Sequence, residues 1–143
     1  MRIRDARPVD RDALIALDAV AARDPGRILM IDEAIQSADC VVAEKNDHVV
    51  GYAVLDYRFY TFGFIPLLYI AERHRRRGMG RALVQALAAR CRTPRLFTST
   101  NRSNEAMRRF LDTLGFQPSG IIYNLDPSDP ELVYVLDLES GAA

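Results

Sequence analysis

Apolar residues recur along the chain with two different periods, and each period predicts a kind of element. Residues 1–4 alternate as a short strand does. Helical spacing from Leu14 to Ala21 predicts a first helix, which Pro25 and Gly26 are expected to end. Residues 28–38 predict a second, shorter helix. The amino-terminal part is therefore expected to be one strand followed by two helices.

The middle of the chain has the pattern of three strands and a helix. Two β-branched runs flank the polar residues 45–48, which is typical of a hairpin. The apolar run over residues 62–71 predicts a further strand, in which Pro66 removes one backbone donor and indicates a bulge or a locally unpaired backbone. From Gly80 to Cys91 the apolar residues return to helical spacing.

The carboxyl-terminal part alternates between strand and helix. A strand is predicted over residues 94–100, followed by a helix with Ser103 as its cap and Gly115 as its end. Residues 117–125 and 132–138 predict two final strands joined by a polar loop. The order β-α-α-β-β-β-α-β-α-β-β predicts an α/β fold with a mixed sheet of about seven strands and about four helices.

Length and composition indicate one folded domain over residues 1–143. The sequence has 49% hydrophobic and 27% charged residues and contains no repeat or low-complexity segment. Its net charge is zero, because 19 basic residues balance 19 acidic ones. Such a chain has no general attraction to nucleic acid or to an anionic membrane, so neither partner is expected.

Targeting and metal-binding patterns are also missing from the sequence. The amino terminus is charged, and no segment approaches the roughly 20 apolar residues of a membrane-spanning helix. A cytoplasmic location is therefore expected. Cys40 and Cys91 lack metal-ligand spacing, so we expect both to be reduced and buried and expect no metal.

The segment RRRGMGRAL, residues 75–83, carries the chemistry most open to interpretation. Gly78 and Gly80 precede a helix whose first backbone N–H groups and positive dipole end can bind phosphate. Neighbouring arginines can add charge-assisted hydrogen bonds to a pyrophosphate. A solvated, charged surface turn is the alternative interpretation.

Other phosphate-binding and nucleic-acid-binding motifs fit this segment less well. A P-loop needs a lysine and then Ser or Thr after its last glycine, but Arg81 and Ala82 follow here. A dinucleotide fingerprint needs a third glycine or alanine, and Leu83 holds that place. Single-stranded RNA binding by the aromatic residues of segment 57–64 stays open, although alternating aromatic residues usually form core.

Residues 68–83, LYIAERHRRRGMGRAL, resemble the acyl-CoA-binding motif of the GNAT superfamily of N-acyltransferases. That motif is an apolar strand, a Gln/Arg-x-x-Gly-x-Gly/Ala turn filled here by Arg75, Gly78 and Gly80, and a helix. Residues 104–116, NEAMRRFLDTLGF, are similar to the family's second motif. The resemblance covers the whole element order and implies a mostly antiparallel sheet with a splay between its fourth and fifth strands.

The resemblance further implies acetyl-CoA as cosubstrate. The backbone of residues 68–70 would pair with the pantetheine arm, amides from Arg76 to Arg81 would hold the pyrophosphate, and Asn104 would contact the pantetheine. The implied binding residues are Leu68, Tyr69, Ile70, Arg75, Arg76, Arg77, Gly78, Met79, Gly80, Arg81 and Asn104.

The sequence departs from the family where the general acid and base are expected. Leu111 replaces the tyrosine that protonates the departing thiolate in many members, and Ser99 replaces the fifth-strand acid of ribosomal-protein acetyltransferases. Phe64 and Pro66 occupy fourth-strand positions that hold Glu or His elsewhere. The remaining candidates are Glu72, His74 and Asp56 as base, and Tyr69, Tyr60 and Tyr123 as acid; Glu72 and Tyr69 are retained as the catalytic hypothesis.

Acidic residues near the expected acceptor cleft suit a cationic amine. Asp32 and Glu33 lie on the second predicted helix, and Asp126, Asp129 and Glu131 lie in or beside the last polar loop.

The function expected from the sequence is therefore acetyl transfer from acetyl-CoA to a primary amine of a small molecule or protein. A GNAT-fold protein that binds acyl-CoA without turnover is the alternative. A homodimer formed through the final strands is a further hypothesis.

Overall fold

Seven strands form one mixed sheet in the computed structural model, which describes residues 1–139. The strands are β1 (Arg2–Asp5), β2 (Cys40–Lys45), β3 (His48–Phe59), β4 (Phe62–Ile70), β5 (Arg95–Asn101), β6 (Gln117–Ile122) and β7 (Glu131–Asp137). The α-helices within these residues are α1 (Arg11–Leu17), α2 (Pro25–Gln36), α3 (Met79–Arg90) and α4 (Glu105–Thr113). Short 3-10 turns occupy Pro8–Asp10 and Glu72–His74. The predicted element order is confirmed.

The strand order is β1-β2-β3-β4-β5-β7-β6. Neighbouring strands are antiparallel except for β4 and β5, which run parallel. The parallel register joins Gly63–Ile65 of β4 to Leu96–Thr98 of β5, and the Thr98 hydroxyl donates to the Ile65 carbonyl at 2.9 Å. Pro66 follows directly after this paired segment. The prediction of a mixed, mostly antiparallel sheet is confirmed.

The chain divides into two compact units, and β3 and β4 contribute residues to both. The first unit comprises Met1–Leu55 and Leu67–Arg90, and its core includes Leu14, Ile31 and Tyr52. The second comprises Asp56–Pro66 and the chain from Cys91 onward. Its buried residues include Leu96, Leu111, Phe116, Val133 and Tyr134.

Both hairpins preceding β4 turn through two residues with positive φ. Asn46 and Asp47, with φ of 53° and 65°, connect β2 to β3 and confirm the predicted hairpin. Tyr60 and Thr61, with φ of 53° and 66°, connect β3 to β4. Asn and Asp favour such primed turns, whereas a β-branched residue with positive φ is unusual. The second hairpin therefore lacked a turn motif in the sequence.

The boundary between the first two helices differs from the prediction. The first helix ends at Leu17, and Pro25 begins α2 instead of ending α1. Asp24 caps α2 by accepting a 2.9 Å hydrogen bond from the Gly26 N–H. Proline fits the first position of a helix because that position needs no N–H donor.

The cap of α4 is also one residue later than predicted. Asn104, and not Ser103, caps this helix by accepting a 3.1 Å hydrogen bond from the Met107 N–H. Ser103 instead donates to Asp129 through both its hydroxyl and its backbone N–H. Gly115 has a φ of +90° just after the helix, which confirms it as the end signal.

No helix within residues 1–139 is long and apolar enough to span a lipid bilayer.

Candidate functional site

The second half of β4 carries the three predicted strand residues, and it belongs to the first unit. Leu68, Tyr69 and Ile70 are all half-buried. The Tyr69 hydroxyl accepts a 3.2 Å hydrogen bond from the Ala19 N–H, in the segment between α1 and α2. Tyr69 therefore already has a partner and holds that segment against β4.

Arg75 attaches the arginine-rich turn to this strand. Its Nε donates to the Ile70 carbonyl at 2.9 Å, and its guanidinium carbon lies 5.3 Å from the centre of the Tyr69 ring. Such a stacked cation gains electrostatic attraction from the ring face. Arg75 thus fixes the position of the turn relative to β4.

The backbone of the turn between Arg75 and α3 has a conformation that residues other than glycine rarely adopt. Arg76 has a φ of 63° and Gly78 a φ of 83°. A Cβ added to Gly78 would meet no atom within 4 Å, so the glycine is required by conformation and leaves open space beside the backbone. Arg76, Arg77 and Gly78 are all exposed.

The helix α3 begins immediately after this turn. The Ala82 N–H bonds to the Gly78 carbonyl at 3.1 Å, so the N–H groups of Met79, Gly80 and Arg81 precede this first helical bond. The Met79 side chain is 3% exposed and belongs to the core. A contribution of Met79 to ligand binding is therefore restricted to its backbone. The turn and the helix start together have the geometry of a phosphate cradle.

A cavity lies beside the 3-10 turn Glu72–His74 of the same unit. Its volume is about 590 Å³, and it is lined by Lys45, Asn46, His48, Val49, Val50, Ala71, Glu72, Arg73 and His74. Burial, and then the positive charges of Lys45, Arg77 and Arg73, lower the pKa of His74. His74 Nδ1 is shielded from solvent and has no hydrogen-bond partner within residues 1–139. The catalytic candidate Glu72 is exposed on the turn.

In the second unit, two predicted site residues serve local structure. The Asn104 side-chain oxygen is occupied as the cap of α4. Asp129 accepts from the Ser103 hydroxyl and N–H, and these bonds lower its pKa. Asp126 is exposed in the same loop.

The two positions that depart from the family pattern have different surroundings. Leu111 is 2% exposed in the core of the second unit, where it provides no proton donor. Ser99 lies on β5 and donates a 2.7 Å hydrogen bond to Oε2 of Glu131 on β7. A carboxylate is therefore present beside the position where the family acid is missing.

Asp32, the first acidic acceptor candidate on α2, is paired within the first unit. Arg11 Nε lies 2.5 Å from Asp32 Oδ1, and Arg11 Nη2 lies 3.3 Å from Asp32 Oδ2. This bidentate pair joins α1 to α2 and already neutralises the carboxylate. Glu33 is exposed on the same helix.

Aromatic residues of segment 57–64, which the sequence left open as an RNA-binding site, pack in the second unit against Phe97, which was not predicted as part of a site. Phe59 lies 5.1 Å from both Phe64 and Phe97, and Phe62 lies 5.6 Å from Phe97, measured between ring centres. All four rings are half-buried. The alternation of aromatic residues at 57–64 was visible in the sequence, but their packing against β5 depends on tertiary structure.

The sequence itself places these elements in a family. A model of the Acetyltransferase (GNAT) family matches residues 12–116, which include the turn, both motif helices and the paired segments of β4 and β5. The chain is a member of the GNAT acetyltransferase family. No curated protein sequence matches this GNAT chain.

Solved structures of GNAT proteins are similar over nearly the whole chain. A GNAT-family acetyltransferase of Bacillus cereus ATCC 10987 is 29% identical, with a TM-score of 0.88 and coverage of 95% of this chain and 96% of that chain. The ribosomal-protein-alanine N-acetyltransferase of Brucella melitensis is 21% identical, with a TM-score of 0.77 and coverage of 96% and 99%. The yncA protein of Salmonella typhimurium, solved with its cofactor acetyl-CoA, is 21% identical, with a TM-score of 0.77 and coverage of 99% and 96%.

Both cysteines of this GNAT domain are free thiols, and they differ in burial. Cys40 is a buried free thiol, and burial raises its pKa to about 12. Cys91 is also free but only half-buried, so the expectation of burial is confirmed for Cys40 alone. Within residues 1–139, no three His, Cys, Asp or Glu residues are grouped so that they could hold a metal ion.

Proposed function

We propose that this protein is an N-acetyltransferase that moves an acetyl group from acetyl-CoA directly to a primary amine of a small molecule or protein. The observation that carries the proposal is the exposed turn from Arg75 to Gly78, with its left-handed Gly78, running directly into α3. Membership of the GNAT family supports the same cosubstrate.

Residues of the turn and of β4 bind different parts of acetyl-CoA. The N–H groups from Arg76 to Arg81 hold the pyrophosphate, because a helix start offers unpaired donors and a positive dipole end. The backbone of Leu68, Tyr69 and Ile70 pairs with the pantetheine arm, and Asn104 contacts the pantetheine. The guanidinium groups add charge-assisted bonds to the phosphates.

The chain contributes positioning and charge stabilisation to the reaction. A backbone N–H of residues 68–70 donates to the thioester carbonyl oxygen as negative charge develops there. Holding amine and thioester together replaces a bimolecular encounter by an effectively unimolecular step. The buried Leu111 donates no proton, but a thiol has a pKa of ~8.5, so its thiolate leaves without a strong acid.

The reaction also needs a general base for the acceptor amine. An amine attacks only when neutral, and a primary alkylamine with a pKa of ~10.4 is almost wholly protonated at pH 7. Glu72 is one candidate, since it is exposed beside the turn. Tyr69 stays the candidate acid, because its hydroxyl accepts a hydrogen bond from the Ala19 N–H and so keeps its own proton to donate.

Calorimetric titration with acetyl-CoA tests the binding half of the proposal. We expect heat of binding, and its absence would exclude both an enzyme and an acyl-CoA sensor. An assay of thiol release against alkylamines, arylalkylamines, polyamines and peptides then separates these two functions. Thiol release with any one acceptor supports the enzyme. Binding of acetyl-CoA without thiol release for any amine of the panel would favour the non-catalytic sensor.

Partners and domain extent remain predictions. A single domain over residues 1–143 extends beyond the family match at 12–116, and its last residues, 140–143, lie outside the described part. A homodimer through the final strands is proposed because β6 is the terminal strand of the sheet and exposes Ile121 and Ile122.

A further inference from the structure

One face of the sheet in the second unit carries a carboxylate supported by a hydroxyl. Ser99 on β5 donates to Oε2 of Glu131, the first residue of β7, at 2.7 Å. In the ladder Glu131 pairs with Asn101, two residues after Ser99. Residues two apart in a strand share a face, so Ser99, Asn101 and Glu131 lie on the same side of the sheet.

Aromatic rings continue this face away from the carboxylate. Phe97 lies two residues before Ser99 and so shares its face. Phe64 is paired with Phe97 in the parallel register of β4 and β5. Phe59 stacks on Phe64 with 5.1 Å between ring centres and lies equally close to Phe97. The face therefore has an apolar aromatic wall next to one anionic group.

The carboxylate of Glu131 in the Ser99–Glu131 pair is accessible to a ligand. Both residues are only half-buried. In the part of the chain that the structure describes, Glu131 is engaged by a hydrogen bond to Oε2, so Oε1 remains for another partner. A carboxylate accepts at both oxygens, and a hydroxyl that fixes one oxygen orients the other.

We propose that Glu131, oriented by Ser99, receives the proton of the acceptor amine, and that Phe59, Phe64 and Phe97 bind an apolar, preferably aromatic, group carried by that amine. This inference rests on the proposed N-acetyltransferase function and names its acceptor class. Glu131 is the catalytic residue of the pair, and Ser99 is a positioning residue. The Glu131 carboxylate on β7 thereby takes the place of the acidic side chain that ribosomal-protein acetyltransferases have at the position of Ser99 on β5.

The proton transfer and the acetyl transfer balance as follows. The ammonium form of the acceptor gives one proton to the Glu131 carboxylate, and its nitrogen lone pair then attacks the thioester carbonyl of acetyl-CoA. The C–N bond forms, the C–S bond breaks, and coenzyme A leaves as a thiolate. The second proton on nitrogen passes to solvent or to the thiolate, and Glu131 returns its proton to solvent.

Three variants of the full-length chain test the role of Glu131. Glu131→Gln removes the base but keeps the shape, Ser99→Ala removes its support, and Glu105→Gln is the matched control. Glu105 is a carboxylate of the same unit whose side chain is 72% exposed on α4. Loss of a general base typically lowers the rate by about 10² to 10⁴-fold. We therefore expect the kcat of Glu131→Gln to fall at least 100-fold. The kcat of Ser99→Ala should fall less, and that of Glu105→Gln should not change.

The pH dependence separates a base from a structural residue. An acceptor amine deprotonates itself as the pH approaches its pKa of ~10.4, which makes a base unnecessary. The kcat defect of Glu131→Gln should therefore shrink at least tenfold between pH 7 and pH 10. A defect that is constant with pH would overturn the catalytic role. Glu131→Asp should restore part of the rate at pH 7.

Acceptor preference tests the aromatic wall. We expect 2-phenylethylamine to have a kcat/KM at least tenfold above that of ethylamine, since even one methylene in a hydrophobic pocket changes specificity by roughly 10 to 200-fold and a phenyl group is larger. Phe64→Ala should raise KM for 2-phenylethylamine and leave KM for ethylamine unchanged. Equal efficiency for the two amines would overturn the assigned acceptor class.

Calorimetry with acetyl-CoA distinguishes failure of this inference from failure of the proposed function. Each variant is expected to bind acetyl-CoA as the unaltered protein does, which also reports that it is folded. Absence of binding in the unaltered protein would refute the proposed function and this inference together. Binding and turnover that survive Glu131→Gln at full rate would refute this inference alone.

Discussion

Tyr52 on β3 donates a hydrogen bond of 2.5 Å to Oδ2 of Asp18, the residue that follows α1. Both residues are buried, at 0% and 1% exposure. Arg27 donates to the same oxygen at 2.9 Å, and the Val20 N–H donates to Oδ1 at 2.9 Å. Burial and then the bond to Asp18 raise the pKa of Tyr52, so its phenol stays a donor. This network compensates a buried charge and holds the segment between α1 and α2.

Tyr52→Phe should therefore destabilise the protein. The change leaves Asp18 with one donor fewer in the interior, which costs about 1 to 3 kcal/mol of unfolding free energy. Urea unfolding monitored by circular dichroism measures the loss. The control Tyr123→Phe alters a residue that is 62% exposed and should change stability by less than about 0.5 kcal/mol. Equal stability of the two variants would contradict the role given to the network.

The ion pair of Arg4 and Asp10 should make stability depend on acid pH. Arg4 Nη1 and Nη2 donate to Asp10 Oδ2 and Oδ1 at 2.8 and 2.9 Å. These bonds, followed by the bond from the Arg7 N–H, lower the pKa of Asp10 despite its burial. A lowered pKa stabilises the fold above the unfolded value of ~3.9 and ceases to do so as the pH falls through the folded value.

Asp10→Asn is the variant that tests this dependence. We expect it to lose about 2 kcal/mol of unfolding free energy at pH 7, because charge-assisted bonds contribute roughly 1.5 to 3 kcal/mol. The difference from the unaltered protein should narrow progressively below about pH 4 in urea unfolding at a series of pH values. Asp12→Asn, at a side chain that is 94% exposed, is the control. A difference that is independent of pH would argue against an ionised Asp10 in the native state.

The backbone of the arginine-rich turn should matter more for acetyl-CoA binding than its charge. Gly78→Val places a β-branched side chain at a φ of 83°, a conformation that such residues avoid, and should reduce binding below detection in calorimetry. Arg76→Ala removes one charged donor and should weaken binding about tenfold. Gly120→Val is the control, because its added Cβ also meets no atom within 4 Å but its φ is ordinary. The reverse ranking of Gly78→Val and Arg76→Ala would identify the turn as a charged patch.

The sequence by itself determined the order of elements and the family. Helical spacing of apolar residues located the helices, because a helix buries one face with a period of 3.6. Short β-branched and apolar runs located the strands. The glycines of the turn at Arg75–Gly80 and the motif opened by Asn104 were local patterns and could be recognised without structure.

Tertiary structure alone decided which side chains are free for chemistry. Asp32 and Asp129 counted as acceptor candidates until the fold paired them with Arg11 and Ser103. Glu131 and Ser99 are separated by 32 positions and meet only because β7 pairs with β5. Local patterns report what the neighbouring residues do, whereas a hydrogen bond between distant strands depends on register, which no single segment encodes.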